Sequence, residues 1–431
     1  MLREQNIEDG VCDLLLRDTL CADDGQRQDL AIHKGKIIAR GSNLAINAKR
    51  VIDVHGRLVS PGFVESHLHL DIALMNDVRP PGRREVFHKM SELGERVDQG
   101  IKSFTPGGIK NRALQALDRA LCQGVVALRA QCLVNEQVGL EFLETLLEVK
   151  ARAAGKVDLQ IVALPEKGIL GKLDLFRNAI RLGADVIGCS PDLEPGWEDP
   201  AIRKVHMDAV FEIAQEFDID IDTHVDLALL DDPQPQDLDI VYLAEKTIAE
   251  GYQGRVTAGH ACALDSLPRD LALQVIERVA EAQLHVISQP DLYRVGRTDT
   301  RHVRRGLTRV KELLAAGVNV SLASNNVRDV LRPMGNFDLL EEALILVYGA
   351  HMDQVDQVEG LFRMTTTNPA KALGLASYGL EVGCDADLVI LDTDSPSGAI
   401  FDQADKAYVL KGGEVMATMT RQQESYHGLI E

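Results

Sequence analysis

Pro61-Gly62-Phe63-Val64-Glu65-Ser66-His67-Leu68-His69-Leu70-Asp71 is an apolar run that ends abruptly in two histidines two residues apart. On a β-strand, side chains alternate with a period of two, so His67 and His69 leave the same face. A strand with two inward imidazoles at its C-terminal end is the usual start of a metal site in the mouth of a barrel. The same spacing also suits two hydrogen-bonded histidines at a strand end. What decides between the readings is what other strands bring to the same place.

Downstream, short apolar runs alternate with helical periodicity. Strands are expected at 125–131, 159–166, 185–193, 220–226, 256–262, 285–290 and 318–326. Helices are expected at 113–122, 138–154, 173–182, 200–217, 237–250, 269–282, 308–316 and 336–348. With the opening stretch this makes eight strand-helix units, and a (β/α)8 TIM-type barrel is their natural closure, with the active site at the C-terminal strand ends. The connection from Asn76 to Asn111 is long, carrying Arg79-Pro80-Pro81-Gly82, a helical piece near 85–97 and Pro106-Gly107-Gly108. It suits a lid, a subunit contact or a plain surface excursion.

Both ends of the chain are rich in strands. Cys12-Asp13-Leu14-Leu15-Leu16-Arg17, a hairpin of 29–33 and 37–41 turning at Lys34-Gly35-Lys36, and a stretch at 51–59 are echoed by Ala386-Asp387-Leu388-Val389-Ile390-Leu391-Asp392 and Ala407-Tyr408-Val409-Leu410. A small β-sandwich domain assembled from residues 1–58 and 376–431, beside a catalytic barrel of 59–375, is the expected organisation.

The 431 residues are 45% hydrophobic and 26% charged, ordinary for a globular protein. Lysine and arginine total 46 against 66 acidic residues, a net charge of −20, which excludes a nucleic-acid backbone as partner on electrostatic grounds and favours a small neutral or cationic substrate. The seven cysteines are scattered and never form a Cys-x-x-Cys pair, as expected of a reducing compartment. No apolar signal core follows Met1 and no run of about 18 apolar residues occurs, so a cytoplasmic location and no membrane partner are expected. No Gly-x-Gly-x-x-Gly or Walker-type loop follows a strand, so no nucleotide cofactor is expected.

Polar residues recur at the expected strand ends: His224 in Ile221-Asp222-Thr223-His224-Val225-Asp226, His260 in Thr257-Ala258-Gly259-His260, and Asn325-Asn326 after Val320-Ser321-Leu322-Ala323-Ser324. Any one such histidine is most often structural; four at the strand ends of one barrel point to metal.

With these residues in view the chain resembles the amidohydrolase superfamily, within it the cytosine deaminase-like branch. The resemblance spans nearly the whole chain: Pro-Gly-Phe-Val before His67-x-His69-Leu70-Asp71, His224, Thr-Ala-Gly-His260, Arg304-Arg305-Gly306-Leu307-Thr308-Arg309-Val310-Lys311, Thr367-Asn368-Pro369-Ala370-Lys371-Ala372 and Asp385-Ala386-Asp387-Leu388-Val389-Ile390. It implies one divalent ion (zinc, iron or manganese) held by His67, His69, His224 and the strand-eight position, here Asn325. It also implies attack of metal-activated water on the carbon bearing the leaving amine, His260 orienting that water, and a homo-oligomer.

Two positions depart from the family pattern. Asn325 stands where the family has a metal-binding aspartate, and Leu227 where deaminases have the glutamate that shuttles the proton. An amide offers a metal a neutral oxygen but no basic site near neutral pH, and leucine offers neither. Glu166, where cytosine deaminases carry a glutamine that holds the substrate ring, is the first candidate to take over as a catalytic or substrate-binding group; an ion pair with Lys167 is its plain alternative. Asp226, on the face of His224, is the second catalytic candidate. Asn326 is a candidate substrate contact or a turn cap. Asp71 is expected to support the histidines by hydrogen bonding. The basic run Arg297–Arg305 suits a solvated loop, or a pocket rim or oligomer contact. Three functions fit: hydrolysis of a C–N bond in a small nitrogen heterocycle, hydrolysis of a cyclic amide, urea or carbamate, and a degenerate ligand-binding relic.

Overall fold

The computed structural model describes residues 11–78, 105–227, 230, 232–290 and 306–421. The helical piece near 85–97, the Arg79-Pro80-Pro81-Gly82 turn and the basic run 297–305 lie outside the described residues. By compactness the chain divides into two units, the described parts of Met1–Gly62, Leu121–Gly124 and Ser377–Glu431, and those of Phe63–Ala120 and Val125–Ala376.

In the first unit, β1 (Val11–Cys21), β2 (Arg27–His33), β3 (Lys36–Gly41), β4 (Asn47–Asp53) and β5 (Leu58–Pro61) join β14 (Leu388–Leu391), β15 (Lys406–Lys411) and β16 (Glu414–Thr418) in one sheet. Its path is β16-β15-β14-β5-β1-β2-β3, with β4 also on β1. The two chain ends meet where β14 runs antiparallel to β5, Val389 opposite Ser60. Leu14 and Leu16 pack with Leu30, Ile32, Leu388 and Ile390, while Leu15 packs on the other face with Cys12 and Ala31. The hairpin turn expected at Lys34-Gly35-Lys36 is one residue shorter, since Lys36 already opens β3; Lys34 and Gly35 take φ of 50° and 78°, the left-handed pair that a two-residue hairpin loop needs.

The second unit is the barrel. Its parallel sheet runs in sequence order: β6 (Phe63–His69), β7 (Val125–Leu133), β8 (Asp158–Leu164), β9 (Val186–Cys189), β10 (Asp220–Val225), β11 (Val256–His260), β12 (His285–Ser288) and β13 (Asn319–Leu322). All eight expected strands form, several shorter at the carboxyl end than the sequence suggests. The reason is local: His260, Ala261 and Asn325 take φ of 70°, 48° and 60°, so β11 stops at His260 and the segment after β13 turns away from the ladder. Such conformations are costly for side-chain-bearing residues and gather at functional sites.

The barrel closes where the residue after that turn rejoins the first strand. Asn325 bridges Leu68 in parallel, its N–H donates to His67 O at 3.0 Å, and His69 N–H donates to its O at 2.9 Å. At the opposite end, the helix Thr367–Ala372 plugs the floor. Arg129 Nη2 donates to Ala372 O at 3.0 Å, Asn319 Nδ2 to Asn368 O at 2.9 Å, and Asn368 Nδ2 to Val320 O at 2.8 Å. The mouth is thereby left as the end where polar strand termini converge. Among the described residues no helix is long and apolar enough to cross a membrane, and all seven cysteines are free.

Candidate metal centre

The alternation of β6 and β10 delivers His67, His69 and His224 to one point. His67 Nε2 lies 3.0 Å from His224 Nε2, which lies 3.2 Å from His69 Nε2. One proton at most can sit in each gap, so three imidazoles this close are hard to satisfy by hydrogen bonds alone. Two nitrogens bound at about 2.0–2.1 Å to one tetrahedral ion stand about 3.3 Å apart, so the spacing fits a shared cation. The three rings form one potential metal-binding group among the described residues. A second group, Cys21, Asp23 and Asp24, has its carboxylates on Arg40 at 2.6 and 2.7 Å and is explained by that pairing.

His67 is held from behind. Its Nδ1 lies 3.2 Å from Asp222 Oδ1, and Asp222 Oδ2 takes Arg129 Nη1 at 3.1 Å, all three side chains being buried. Gln131 Nε2 sits 3.1 Å from the same Nδ1 but also donates to Asp222 Oδ1 at 2.9 Å. The carboxylate decides the tautomer: an unprotonated Nδ1 facing it would be repelled. An Nδ1–H donated to Asp222 leaves the Nε2 lone pair for a metal. Burial pushes the Asp222 carboxyl up, yet His67 and Arg129 outweigh it and hold it below the usual range. Gly259 is required here, since a Cβ would come 2.5 Å from Thr223 O and 3.5 Å from the His67 ring.

His260 joins the cluster, its ring centroid 5.3 Å from that of His224 and 6.0 Å from that of His67. Asn325 stands beside the triad through its backbone bonds to His67 and His69. Behind it, Glu65 accepts from Ser324 N–H at 3.1 Å and His67 N–H at 3.2 Å, and burial raises it to about 7. Arg332 donates to Ser324 O at 3.1 Å and to Glu342, which burial raises to about 8.

The remaining candidates have definite neighbours. Glu166, just past β8 and partly buried, accepts from Asn135 Nδ2 at 3.2 Å. Asp226 accepts from the N–H groups of Asp239 and Ile240 at 2.9 and 3.0 Å, an anchor for the helix Asp239–Ala249, and burial with the neighbouring Asp239 raises its carboxyl to about 7. Asn326 Nδ2 donates to Asp329 Oδ2 at 2.7 Å, and Asp329 Oδ1 receives Leu331 and Arg332 N–H at 2.8 Å each, which favours the turn-cap reading. Asp71 Oδ2 takes Leu133 N–H at 2.8 Å, tying the loop after β6 to β7. Leu227 is buried and apolar.

Sequence reasoning passed over Arg129, Gln131 and Asp222. Arg129 at the end of the apolar run Val125-Val126-Ala127-Leu128, and two aspartates alternating with isoleucine in Ile219-Asp220-Ile221-Asp222, were the available signal: a charge on a buried strand implies a partner.

Residues 50–169 and 107–417 match the amidohydrolase family. N-isopropylammelide isopropyl amidohydrolase of Pseudomonas sp. (strain ADP) is 29% identical, covering 94% of this chain and 97% of that protein. Pterin deaminase of Rhizobium rhizogenes is 27% identical over 84% and 82% of the two chains. The crystal structure of 5-methylcytosine deaminase from Klebsiella pneumoniae liganded with phosphonocytosine superposes with a TM-score of 0.86 at 30% identity, covering 95% of this chain and 100% of the other. The family match over most of the chain, the near-complete coverage of these relatives and the histidine cluster at the barrel mouth agree: this chain belongs to the amidohydrolase family and is a metal-dependent amidohydrolase.

Proposed function

We propose that the enzyme hydrolyses a C–N bond in a small nitrogen heterocycle, releasing ammonia or an amine. The observation that carries this reading is the approach of three Nε2 atoms to 3.0 and 3.2 Å at the mouth of a barrel. Its support is that relatives matching 84–95% of the chain are named for N-isopropylammelide, pterin and 5-methylcytosine.

His67, His69 and His224 would hold one divalent ion, and the neutral side chain of Asn325 would be the further residue available to it. A divalent ion bound there supplies a nucleophilic water near neutral pH. The chain's own residues do the rest. Asp222 keeps the Nδ1 proton on His67. His260 takes a proton at a ring nitrogen and returns it to the leaving nitrogen. Glu166, steadied by Asn135, receives ring N–H or amino hydrogens of the substrate. Asp226 anchors the helix after β10, and Asn326 caps the turn after β13.

Buried Leu227, three residues past His224, supplies no proton for a departing amine. That favours, as a second reading, ring opening of a cyclic amide, urea or carbamate, in which the nitrogen stays tethered. Metal-replete enzyme incubated with aminopyrimidines, aminopterins and aminotriazines is expected to release ammonia or amine, and the product should lose NH and gain O. Products that instead gain water would replace the first reading with the second, and silence across the panel would remove the first.

A further inference from the structure

We propose that Gln289 is a substrate-recognising residue whose side-chain amide pairs with an N–H/C=O or amidine edge of the ring. The inference rests on the proposed site at the barrel mouth and deepens it.

Gln289 follows β12 and is 1% exposed, yet neither its Nε2 nor its Oε1 has a hydrogen-bond partner among the described residues. A buried primary amide whose donors and acceptor find no partner among the described residues is a costly arrangement, and each such group calls for a reason. Other amides on the same barrel each have at least one bond, from Gln131 Nε2 to Asp222, Asn319 Nδ2 to Asn368 and Asn135 Nδ2 to Glu166, whereas both polar atoms of Gln289 lack a partner among the described residues.

Register shows where the side chain faces. β11 and β12 pair Thr257 with His285 and Gly259 with Ile287. Thr257 Oγ1 receives Arg129 Nη1 at 3.3 Å inside the barrel, and a Cβ on Gly259 would lie 3.5 Å from the His67 ring. His285 and Ile287 therefore face the interior, and the period of two, continued one residue past the end of β12, carries Gln289 to the same face, one layer above Ile287. That layer lies beyond Gly259 and its partner His224 towards the mouth. On the other side, Ser288 pairs with Leu322, three residues before Asn325.

A primary amide presents one acceptor and two donors in a plane. Its natural complement is an edge carrying a donor beside an acceptor, as in lactam and amidine rings. A site built to satisfy such an edge rejects rings lacking it, because the protein's own amide is then left unpaired.

The experiment compares wild type with Gln289→Leu in two arms. In the first, thermal unfolding of metal-replete protein without substrate is expected to show Gln289→Leu with a Tm higher by about 1 °C or more, since an idle buried amide is replaced by an apolar group of similar size. A lower Tm would mean that the fold itself uses the amide, and would overturn the proposal. In the second, calorimetric titration with cytosine, pterin and ammelide is expected to show at least about tenfold weaker binding by Gln289→Leu, with unchanged metal content. Equal binding by both proteins would overturn the proposal and leave the proposed hydrolysis standing. If no ring binds even wild type, the hydrolysis reading falls, and the unfolding arm alone decides whether Gln289 awaits a ligand.

Discussion

The two sides of the barrel mouth are built on different principles. On the side of β6, β7 and β10, charge sits directly beneath the histidines: Asp222 is shared by Arg129, Gln131 and His67, with distances of 2.9–3.2 Å. After β12 and β13, where the barrel closes back onto β6, the side chains are neutral amides, Gln289 and Asn325, and the charges, Glu65 of β6, Arg332 and Glu342, stand behind the loop that carries Asn325. The first side orients donors and needs an exact proton count. The second side shapes a turn and presents groups that both donate and accept. A single barrel can therefore keep its metal-gathering half intact while the other half is altered to suit a different ring or leaving group.

The largest effect expected from breaking this contrast is at Asp222. Asp222→Asn keeps the shape but removes the charge that holds the proton on His67 Nδ1 and that balances buried Arg129. Metal affinity should fall about 10–100-fold, measured by competition with a chromophoric chelator, and Tm should drop. A variant that binds metal like wild type would show that the charge is not what orients the ring.

Next is Asn325→Asp, which would give the second side the charge that the first already has. A carboxylate beside three neutral imidazoles should tighten metal binding by about tenfold or more, with the rise shrinking at high salt far less than for an exposed pair. Unchanged affinity in the same chelator competition would mean that the side chain at this position does not reach the ion.

The smallest effect concerns Glu342, behind the Asn325 loop. Its folded pKa is raised by burial from 4.5 to about 8, so the native state binds this proton more tightly than the unfolded chain does. Stability from this group is complete below about pH 4.5 and is lost as pH rises towards 8. Glu342→Gln removes that slope: Tm should decline less between pH 5 and 8 than in wild type. A parallel decline in both proteins would place the titration elsewhere.

Much of this was legible in the chain itself. The His67-x-His69 spacing, the eight alternating strand-helix units and the polar residues at strand ends follow from backbone periodicity, which is local and survives in any correctly closed barrel. The hydrogen-bond partners of Asp226 and Asn326 were not legible at the same level. Both lie next to site residues in sequence, but what each carboxylate or amide bonds to depends on where a helix begins thirteen residues on, or how a turn three residues on folds back.

Sequence by itself determined the set of imidazoles and the strand ends they occupy, because spacing along a strand dictates which side chains share a face. Only the tertiary structure decided that Arg129 meets Asp222, 93 residues away, that Asp222 meets His67, and that Gln289 meets none of the described residues. Those pairings depend on which strands become neighbours and in what register. A buried charge finds its partner, or an amide is left waiting, only when the cylinder closes.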